Sequence, residues 1–271
     1  MRASKTLARL RAGQTARVCC LYNPSNMYPA HAAQAGYDGI WLDNEHNTWD
    51  NREMQRLIAM HHLADIDCIV RPTVLGKTQL YQLLEMGATG VLVPHVSTVE
   101  AARHQVDALK FPPLGQRGLD GAGLDNNFYL SGTEKYPAEA NRETLIAVQI
   151  ETLEALENVE AIAAVKGVDV LFIGPGDLAL RLGCPLNWAE PKMQAAQARI
   201  AAAAARHGIH WGRPSGNPDD MAAIMAQGAR FIAHGSDFEA VAHSMQQRYR
   251  ANFEKALGLH AQASTPAGKA Y

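Results

Sequence analysis

The amino-acid sequence predicts a (β/α)8 TIM barrel. Eight short apolar segments recur along the chain, and segments with helical periodicity or a high alanine content lie between them. Several helical segments end at a glycine that is followed at once by an apolar run, as in AGYDGIWL, MGATGVLV and QGARFIAH. Parallel strands joined by right-handed helical crossovers close most simply into a barrel when the unit repeats eight times.

The chain length agrees with this architecture. A chain of 271 residues could form two ordinary domains, but one (β/α)8 barrel typically needs about 250 residues. We therefore expect one barrel domain over residues 1–260. Residues 261–271 are rich in Ala, Ser, Thr, Pro and Gly and predict a flexible carboxyl-terminal tail.

The strand candidates are apolar on both faces, as expected of strands that are buried beneath helices. They are residues 18–21, 39–43, 68–72, 90–94, 145–151, 170–173, 210–212 and 231–234.

Capping residues mark the helices between these strands. Thr48 is a candidate amino-terminal cap for the first of them, and Asn217 followed by Pro218 suits the start of another. We expect helices over residues 49–64, 78–86, 98–109, 153–165, 190–207 and 218–227.

Two segments exceed what a minimal barrel needs. Residues 111–144 are rich in Gly, Pro, Asp and Asn, and they predict a long loop with a role in function or assembly. The last helix, over residues 238–257, is extended and has an apolar stripe that suits packing against its own barrel or against another subunit. The stripe consists of Val241, Met245, Tyr249 and Phe253.

Composition and charge exclude several classes of protein. Lys and Arg number 25 against 27 for Asp and Glu, a formal charge of −2, so the basic surface of a nucleic-acid binder is not expected. No apolar run approaches the ~20 residues of a membrane span, and the basic opening has no apolar stretch of a secretory signal. The four cysteines form no C-x-x-C pair. We expect a cytoplasmic protein that binds neither nucleic acid nor membrane.

Polar residues follow the predicted strands, and in this fold the active site lies at the carboxyl ends of the strands. Polar residues after one strand alone would mean little, but polar residues after several strands indicate a functional site at this rim. These residues include Asp43, Asn44, Glu45, His46, Arg71, His95, Gln149, Glu151, Asp177, Arg213, Ser215, His234, Ser236 and Asp237.

Glu151 and Asp177 follow adjacent predicted strands, so their carboxylates are expected at the same part of the rim. Two such charges repel each other and raise one pKa unless a cation lies between them. Mg²⁺ or Mn²⁺ suits a pair of carboxylates with remaining positions for substrate oxygens and water. The alternative is an ordinary surface or salt-bridged carboxylate at each position.

The segment GPGDL at residues 174–178 reads as a turn that opens a short helix. Its glycines allow a ligand to approach the backbone, and free amides at a helix start attract a carboxylate. The alternative is an ordinary tight turn between a strand and a helix.

His46 and Arg71 are candidate catalytic residues. Asp43 is placed to hold one ring nitrogen of His46, which would leave the other nitrogen free for proton transfer. A guanidinium at the barrel mouth needs an anion or a carboxylate partner, so Arg71 is expected to meet either a substrate or one of Glu45 and Glu151. A purely structural histidine is the alternative for His46.

At these residues the sequence resembles the HpcH/HpaI family of class II, metal-dependent 2-oxo-acid aldolases, which includes 4-hydroxy-2-oxoheptanedioate and 2-keto-3-deoxy acid aldolases. The similar stretches occur in order between about residue 17 and residue 240. They are GYDGIWLDNEHNTWD, IVRPT, MGATGVLVPHVSTVEAA, FPPLGQRG, VQIET and VDVLFIGPGDLALRLG.

The resemblance implies a metal-dependent lyase that reversibly cleaves a 4-hydroxy-2-oxo acid to pyruvate and an aldehyde through a metal-held enolate. It implies Mg²⁺, Mn²⁺ or Co²⁺ on Glu151 and Asp177, with pyruvate held by Gln149 and the amides of Gly176 and Asp177. Arg71 would neutralise the enolate oxygen, and His46, oriented by Asp43, would transfer protons. The family also implies a domain-swapped last helix and a homohexamer of paired trimers.

Three other functions remain open on the same barrel. One is a decarboxylase or condensing enzyme like macrophomate synthase, and another is a CoA-ester lyase of the malyl or citramalyl type, although no basic, aromatic-lined CoA groove is evident. A third is a barrel retained for assembly or binding, which gives little reason for the charges at its mouth. A Schiff-base aldolase is disfavoured because no predicted strand ends in lysine.

Overall fold

The computed structural model describes residues 2–259, so the predicted tail over residues 261–271 lies outside the described residues. Eight parallel strands form a closed barrel in chain order, and β1 pairs with β8 to complete it. The prediction of a (β/α)8 barrel is confirmed. The strands are β1 (Ala16–Leu21), β2 (Gly39–Asp43), β3 (Asp67–Arg71), β4 (Gly90–Val93), β5 (Leu145–Ile150), β6 (Val170–Ile173), β7 (His210–Pro214) and β8 (Phe231–Ser236).

Helices surround this barrel. None of those within residues 2–259 is long and apolar enough to cross a membrane. They are α1 (Lys5–Arg11), α2 (Tyr28–Ala35), α3 (Asn51–Leu63), α4 (Lys77–Glu85), α5 (Val99–Leu109), α6 (Tyr136–Glu143), α7 (Leu153–Glu157), α8 (Val159–Ala163), α9 (Pro175–Leu182), α10 (Pro191–His207), α11 (Pro218–Ala226), α12 (Asp237–Arg248) and α13 (Lys255–Leu257).

The barrel interior is filled by its own side chains. Trp41 and Phe172 meet edge to face with ring centroids 5.6 Å apart, and Phe172 meets Phe231 in the same way at 5.6 Å. A larger cluster of aliphatic residues fills the space between the outer faces of the strands and the helices. The barrel is therefore a packed scaffold, and its open space lies at the rim.

An amino-terminal helix that we did not predict closes the other end. Leu7 and Leu10 of α1 pack against the inner cluster near the starts of the strands. Ser4 caps the helix by accepting a hydrogen bond from the Leu7 amide, and its hydroxyl donates to Asp67. Only two apolar residues face the core, so the hydrophobic pattern of this segment is weak.

Two predicted helices differ in their bounds. The helix after β2 begins after Asp50 rather than Thr48, because Asp50 and Glu53 form a reciprocal capping box. The helix predicted over residues 153–165 is two helices, α7 and α8, that meet at Asn158. The Asn158 side chain donates a hydrogen bond to the Ser97 carbonyl at the break.

The segment over residues 111–144 is not a structureless loop. It contains a 3₁₀ turn, Leu124–Asn126, and the helix α6. Arg117 and Tyr136 both donate hydrogen bonds to the buried carboxylate of Asp125, which fastens the segment internally. The expectation of a plain loop is wrong because this buried polar cluster gives the segment its own core.

The last helix extends away from the barrel. α12 continues as a π-helix over Tyr249–Glu254 and ends in α13. The predicted apolar stripe of Val241, Met245, Tyr249 and Phe253 is more than half exposed at each position. These side chains therefore do not pack against their own barrel.

Candidate active site at the carboxyl-terminal rim

A cavity of about 710 Å³ opens at the carboxyl ends of the strands. It is lined by residues that follow β1, β2, β3, β5, β6, β7 and β8 and by the first turn of α12. Six of the seven predicted site residues line it: His46, Arg71, Gln149, Glu151, Gly176 and Asp177. The seventh, Asp43, lies behind Arg71.

Two carboxylates meet on one side of the cavity. Glu151 directly follows β5 and is buried, whereas Asp177 lies in the first turn of α9 and is partly exposed. Burial raises the pKa of Glu151, although the His95 and Gln149 hydrogen bonds act in the opposite direction. Arg181 forms an ion pair with Asp177 at 3.0 Å.

His95 joins these carboxylates, although we predicted no role for it beyond a place at the rim. His95, Glu151 and Asp177 each offer a ligand atom, and these atoms lie within 4.8 Å of one another. The position of His95 after the fourth strand was the available signal, because that places it at the same rim.

The set of donor atoms fits a divalent cation. The Nε2 amide of Gln149 donates to Glu151, and the Oε1 atom of Gln149 is buried with no hydrogen-bond partner among the described residues. A Cβ atom at Gly174 would overlap the Glu151 carboxylate and the Gln149 amide, so the lack of a side chain there leaves both of them room. The two carboxylates and the unpaired amide oxygen of Gln149 are oxygen donors of the kind that suit a divalent cation.

Arg71 is held by two carboxylates. Its Nε and Nη2 atoms donate to the two oxygens of Asp43 at 2.9 and 2.6 Å, and its Nη1 atom lies 3.1 Å from Glu45. The guanidinium also stacks over the Trp41 ring, 4.5 Å from the ring centroid. The expected partner Glu45 is therefore present, together with a second one, Asp43.

His46 is not oriented by Asp43, contrary to our expectation. The Asp43 carboxylate is occupied by Arg71 and by the Glu45 amide, and the imidazole of His46 is 66% exposed. The carboxylate nearest to His46 is that of Glu45, at 3.7 Å from Nε2. The Asp43 side chain is fully buried beside Arg71, so it does not hold the exposed ring of His46.

The first turn of α9 faces the cavity with its leading amides. Gly176 and Asp177 belong to this turn, where helix amides have no partner within the helix. Such amides attract a carboxylate. The prediction that GPGDL opens a short helix is confirmed, because α9 begins at Pro175.

The opposite wall is formed by β1, β8 and α12. The loop after β1 is fastened to α12, because Asp237 accepts hydrogen bonds from the amides of Tyr22 and Asn23 at 2.8 and 3.0 Å. Tyr22, Asn23 and Phe238 line the cavity there. The segment over residues 118–130 does not contribute to this lining.

The fold and the rim together define an enzyme of the (β/α)8 class with a site suited to a divalent cation. Many activities occur on a closed barrel, so the functional class is inferred from the site and not from the fold. The site combines two carboxylates, an imidazole, an amide and a buried guanidinium in or beside one cavity.

Comparisons with known proteins identify the family. A family model described as HpcH/HpaI aldolase/citrate lyase matches residues 20–244. The 2-keto-3-deoxy-L-rhamnonate aldolase of Klebsiella pneumoniae subsp. pneumoniae is 32% identical over 243 residues, which cover 88% of this chain and 89% of that protein. The chain therefore belongs to the HpcH/HpaI aldolase/citrate lyase family, and the resemblance inferred from its motifs is confirmed.

Solved structures agree with this membership. The HpcH/HpaI aldolase from Desulfitobacterium hafniense DCB-2 has a TM-score of 0.84 at 28% identity, and the match covers 95% of this chain and 98% of that one. Macrophomate synthase has a TM-score of 0.77 at 27% identity, with 94% and 90% covered. The protein is an enzyme of the lyase class, as its aldolase relatives are.

Proposed function

We propose that the protein is a divalent-metal-dependent aldolase that reversibly cleaves a 4-hydroxy-2-oxo acid to pyruvate, or a close 2-oxo acid, and an aldehyde. The observation that carries this proposal is the cavity that unites Glu151, Asp177 and Gln149 with Arg71. The aldolase names of relatives that cover most of the chain support it.

Glu151 and Asp177 would hold the metal ion. A divalent cation bound there supplies positive charge that withdraws electrons from the oxygens of a 2-oxo acid. Gln149 and the amides of Gly176 and Asp177 would hold the substrate carboxylate, since amide N–H groups donate hydrogen bonds to it. We propose Mg²⁺, Mn²⁺ or Co²⁺ as the ion.

Arg71 would stabilise the charge that develops during cleavage. When the C3–C4 bond breaks, its electron pair passes toward the 2-oxo oxygen and gives the enolate of pyruvate. A guanidinium fixed in advance beside that oxygen favours the transition state over the ground state. Asp43 acts through Arg71 by fixing the guanidinium plane.

His46 would transfer the protons. In cleavage it accepts the proton of the C4 hydroxyl as the aldehyde forms, and the methylene carbon of the enolate then receives a proton to give pyruvate. Its exposed ring lines the cavity mouth and is free to exchange protons with solvent. An imidazole suits this role because one ring nitrogen can accept a proton and later donate it.

We further propose a homohexamer with the last helix exchanged between subunits, and a cytoplasmic location. The exposed apolar stripe of α12 supports the exchange, because such a face is normally covered. The cysteines of the described chain are free thiols, which suits a reducing compartment. We also propose that residues 1–260 act as one domain.

A condensing or decarboxylating enzyme is the second candidate. The similarity to macrophomate synthase over most of both chains favours it. The two candidates differ in the electrophile that meets the enolate, so they separate by substrate. Release of CO₂ from oxaloacetate without turnover of any aldehyde would favour the second candidate.

Deuterium exchange into pyruvate tests the leading proposal. The purified protein is incubated with Mn²⁺ and pyruvate in D₂O, and loss of the methyl proton signal is followed by NMR, with and without EDTA. We expect exchange that EDTA abolishes, followed by aldol products in a panel of aldehydes. If the methyl protons of pyruvate do not exchange, the protein does not form this enolate and the proposal is wrong.

A further inference from the structure

His95 has a backbone conformation that is unusual for a residue with a side chain. Its φ angle is +57°, in the left-handed region, which costs a non-glycine residue on the order of 1 kcal/mol and tends to occur at functional sites. In this conformation both the backbone and the ring of His95 meet Glu151. The backbone amide donates to Oε1 of Glu151 at 2.7 Å, and the ring Nδ1 atom lies 3.0 Å from the same oxygen.

The other ring nitrogen of His95 also faces a carboxylate. Its Nε2 atom lies 2.9 Å from Oε1 of Glu45, whose second oxygen pairs with Arg71. A neutral imidazole has one N–H, and the partly buried Glu45 is a suitable acceptor for it. The lone pair of Nδ1 is then directed at the Glu151 carboxylate.

Two such electron-rich atoms at 3.0 Å repel each other unless a proton or a metal ion is shared between them. Two ligands at right angles around an ion at about 2.1 Å are themselves about 3 Å apart. In metal sites, a ligating histidine typically donates its second N–H to a carboxylate, which fixes the tautomer and the ring plane. Glu45, His95 and Glu151 have this arrangement.

We infer that His95 is a third protein ligand of the metal ion, through Nδ1, and that Glu45 is the residue that orients it. The inference rests on the proposed metal site of Glu151 and Asp177 and deepens it. An imidazole donor favours first-row transition ions over Mg²⁺, which prefers oxygen ligands. The site therefore selects Mn²⁺ or Co²⁺ over Mg²⁺.

Pulsed EPR of bound Mn²⁺ tests the ligand directly, with no need for turnover. The full chain is loaded with Mn²⁺, and ¹⁴N modulation of its signal reports an imidazole ligand. The test variant is His95→Gly, because glycine accepts the left-handed conformation without strain. His46→Ala is the matched control, since it removes the other imidazole at this part of the rim.

We expect nitrogen modulation in the wild type and in His46→Ala, and its loss in His95→Gly. The Kd for Mn²⁺ should rise about tenfold or more in His95→Gly, with a smaller rise for Mg²⁺. Glu45→Ala should weaken Mn²⁺ binding while it keeps the nitrogen signal. Circular dichroism and thermal melts show that each variant is folded.

Other outcomes separate this inference from the proposed function. Tight Mn²⁺ binding without nitrogen modulation in the wild type would show that His95 only hydrogen-bonds to Glu151. That result overturns the inference and leaves the aldolase proposal intact. If the wild type binds no Mn²⁺ at all and does not exchange pyruvate protons, both the inference and the proposed function are wrong.

Discussion

Arg71 and Asp43 form a buried two-point ion pair, with Nε 2.9 Å from Oδ1 and Nη2 2.6 Å from Oδ2. Burial alone would lower the pKa of Arg71, but Asp43 and Glu45 raise it above its ordinary value. The guanidinium therefore stays charged in an interior position. Its geometry is fixed before any substrate arrives, as electrostatic stabilisation of a transition state requires.

We expect Arg71→Lys to lower kcat by about 10²-fold or more, because a lysine cannot reproduce the planar fork. Steady-state cleavage assays measure the effect, and Mn²⁺ titration should show unchanged metal binding. Arg206→Lys, in an exposed pair with Glu160, is the matched control. A kcat close to that of the wild type in Arg71→Lys would remove the guanidinium from the reaction.

We expect Glu151→Gln and Asp177→Asn each to lose bound metal, because each substitution removes a charged ligand. Metal content after dialysis is measured by atomic emission. Glu154→Gln changes an exposed carboxylate three residues away from Glu151 and should retain the metal. Full metal content in both test variants would refute the assignment of the ligands.

His46→Ala should slow turnover about 10²-fold, since general acid–base catalysis typically contributes that much. Metal binding should be unchanged, because His46 lies at the exposed mouth of the cavity. The measurement is kcat with saturating metal, together with the Kd for Mn²⁺. Near-normal kcat would show that another group transfers the proton.

Gly174→Ala should weaken metal binding about tenfold or more, because the added methyl group overlaps the Glu151 carboxylate and displaces a ligand. Gly176→Ala is a closely matched control, since a Cβ at Gly176 meets no atom within 4 Å. Isothermal titration with Mn²⁺ compares the two. Equal affinities would mean that the contact at Gly174 does not constrain Glu151.

Acid should destabilise the protein through His61. Burial lowers the pKa of His61 to about 4, although its hydrogen bond to the Leu57 carbonyl opposes the shift. The unfolded chain, with the ordinary pKa of 6.5, therefore takes up the proton first. The stability that neutral His61 provides is complete above about pH 6.5 and is lost as the pH falls toward 4.

The comparison uses His61→Leu, which cannot titrate. Between pH 7 and pH 4.5 the free energy of unfolding of the wild type should fall by about 2–3 kcal/mol more than that of the variant. Urea unfolding at each pH measures both. Parallel pH profiles would show that His61 does not contribute to the acid sensitivity.

The barrel was predictable because its signal is repeated. Each strand is an apolar run, and most of the helices that follow carry their own end signals, so single errors did not change the architecture. Among the elements that we missed, α2 has no side-chain cap at its start, and two others depend on polar contacts that spacing does not reveal. α1 is fastened by Ser4 to Asp67, and the segment around Asp125 is held by Arg117 and Tyr136.

The position of the candidate site at the carboxyl-terminal rim, and most of the residues that meet there, could be predicted from the sequence. The carboxyl end of each strand placed Glu151, Asp177 and Arg71 together, as the cavity shows. Which partner each would choose could not be read from spacing. We expected Asp43 to pair with His46, and its pairing with Arg71 instead depends on the direction of its side chain at the end of β2.

The side chains that we propose to bind the metal ion or to act in the reaction are not spread evenly around the barrel. Asp43, Arg71, His95, Glu151 and Asp177 end or follow five consecutive strands, β2 to β6. The ends of β7, β8 and β1 supply the other wall of the cavity. We therefore expect substitutions on that wall to change which aldehyde is accepted while the bond-breaking groups stay in place, so that substrate choice can diverge without a change in the chemistry.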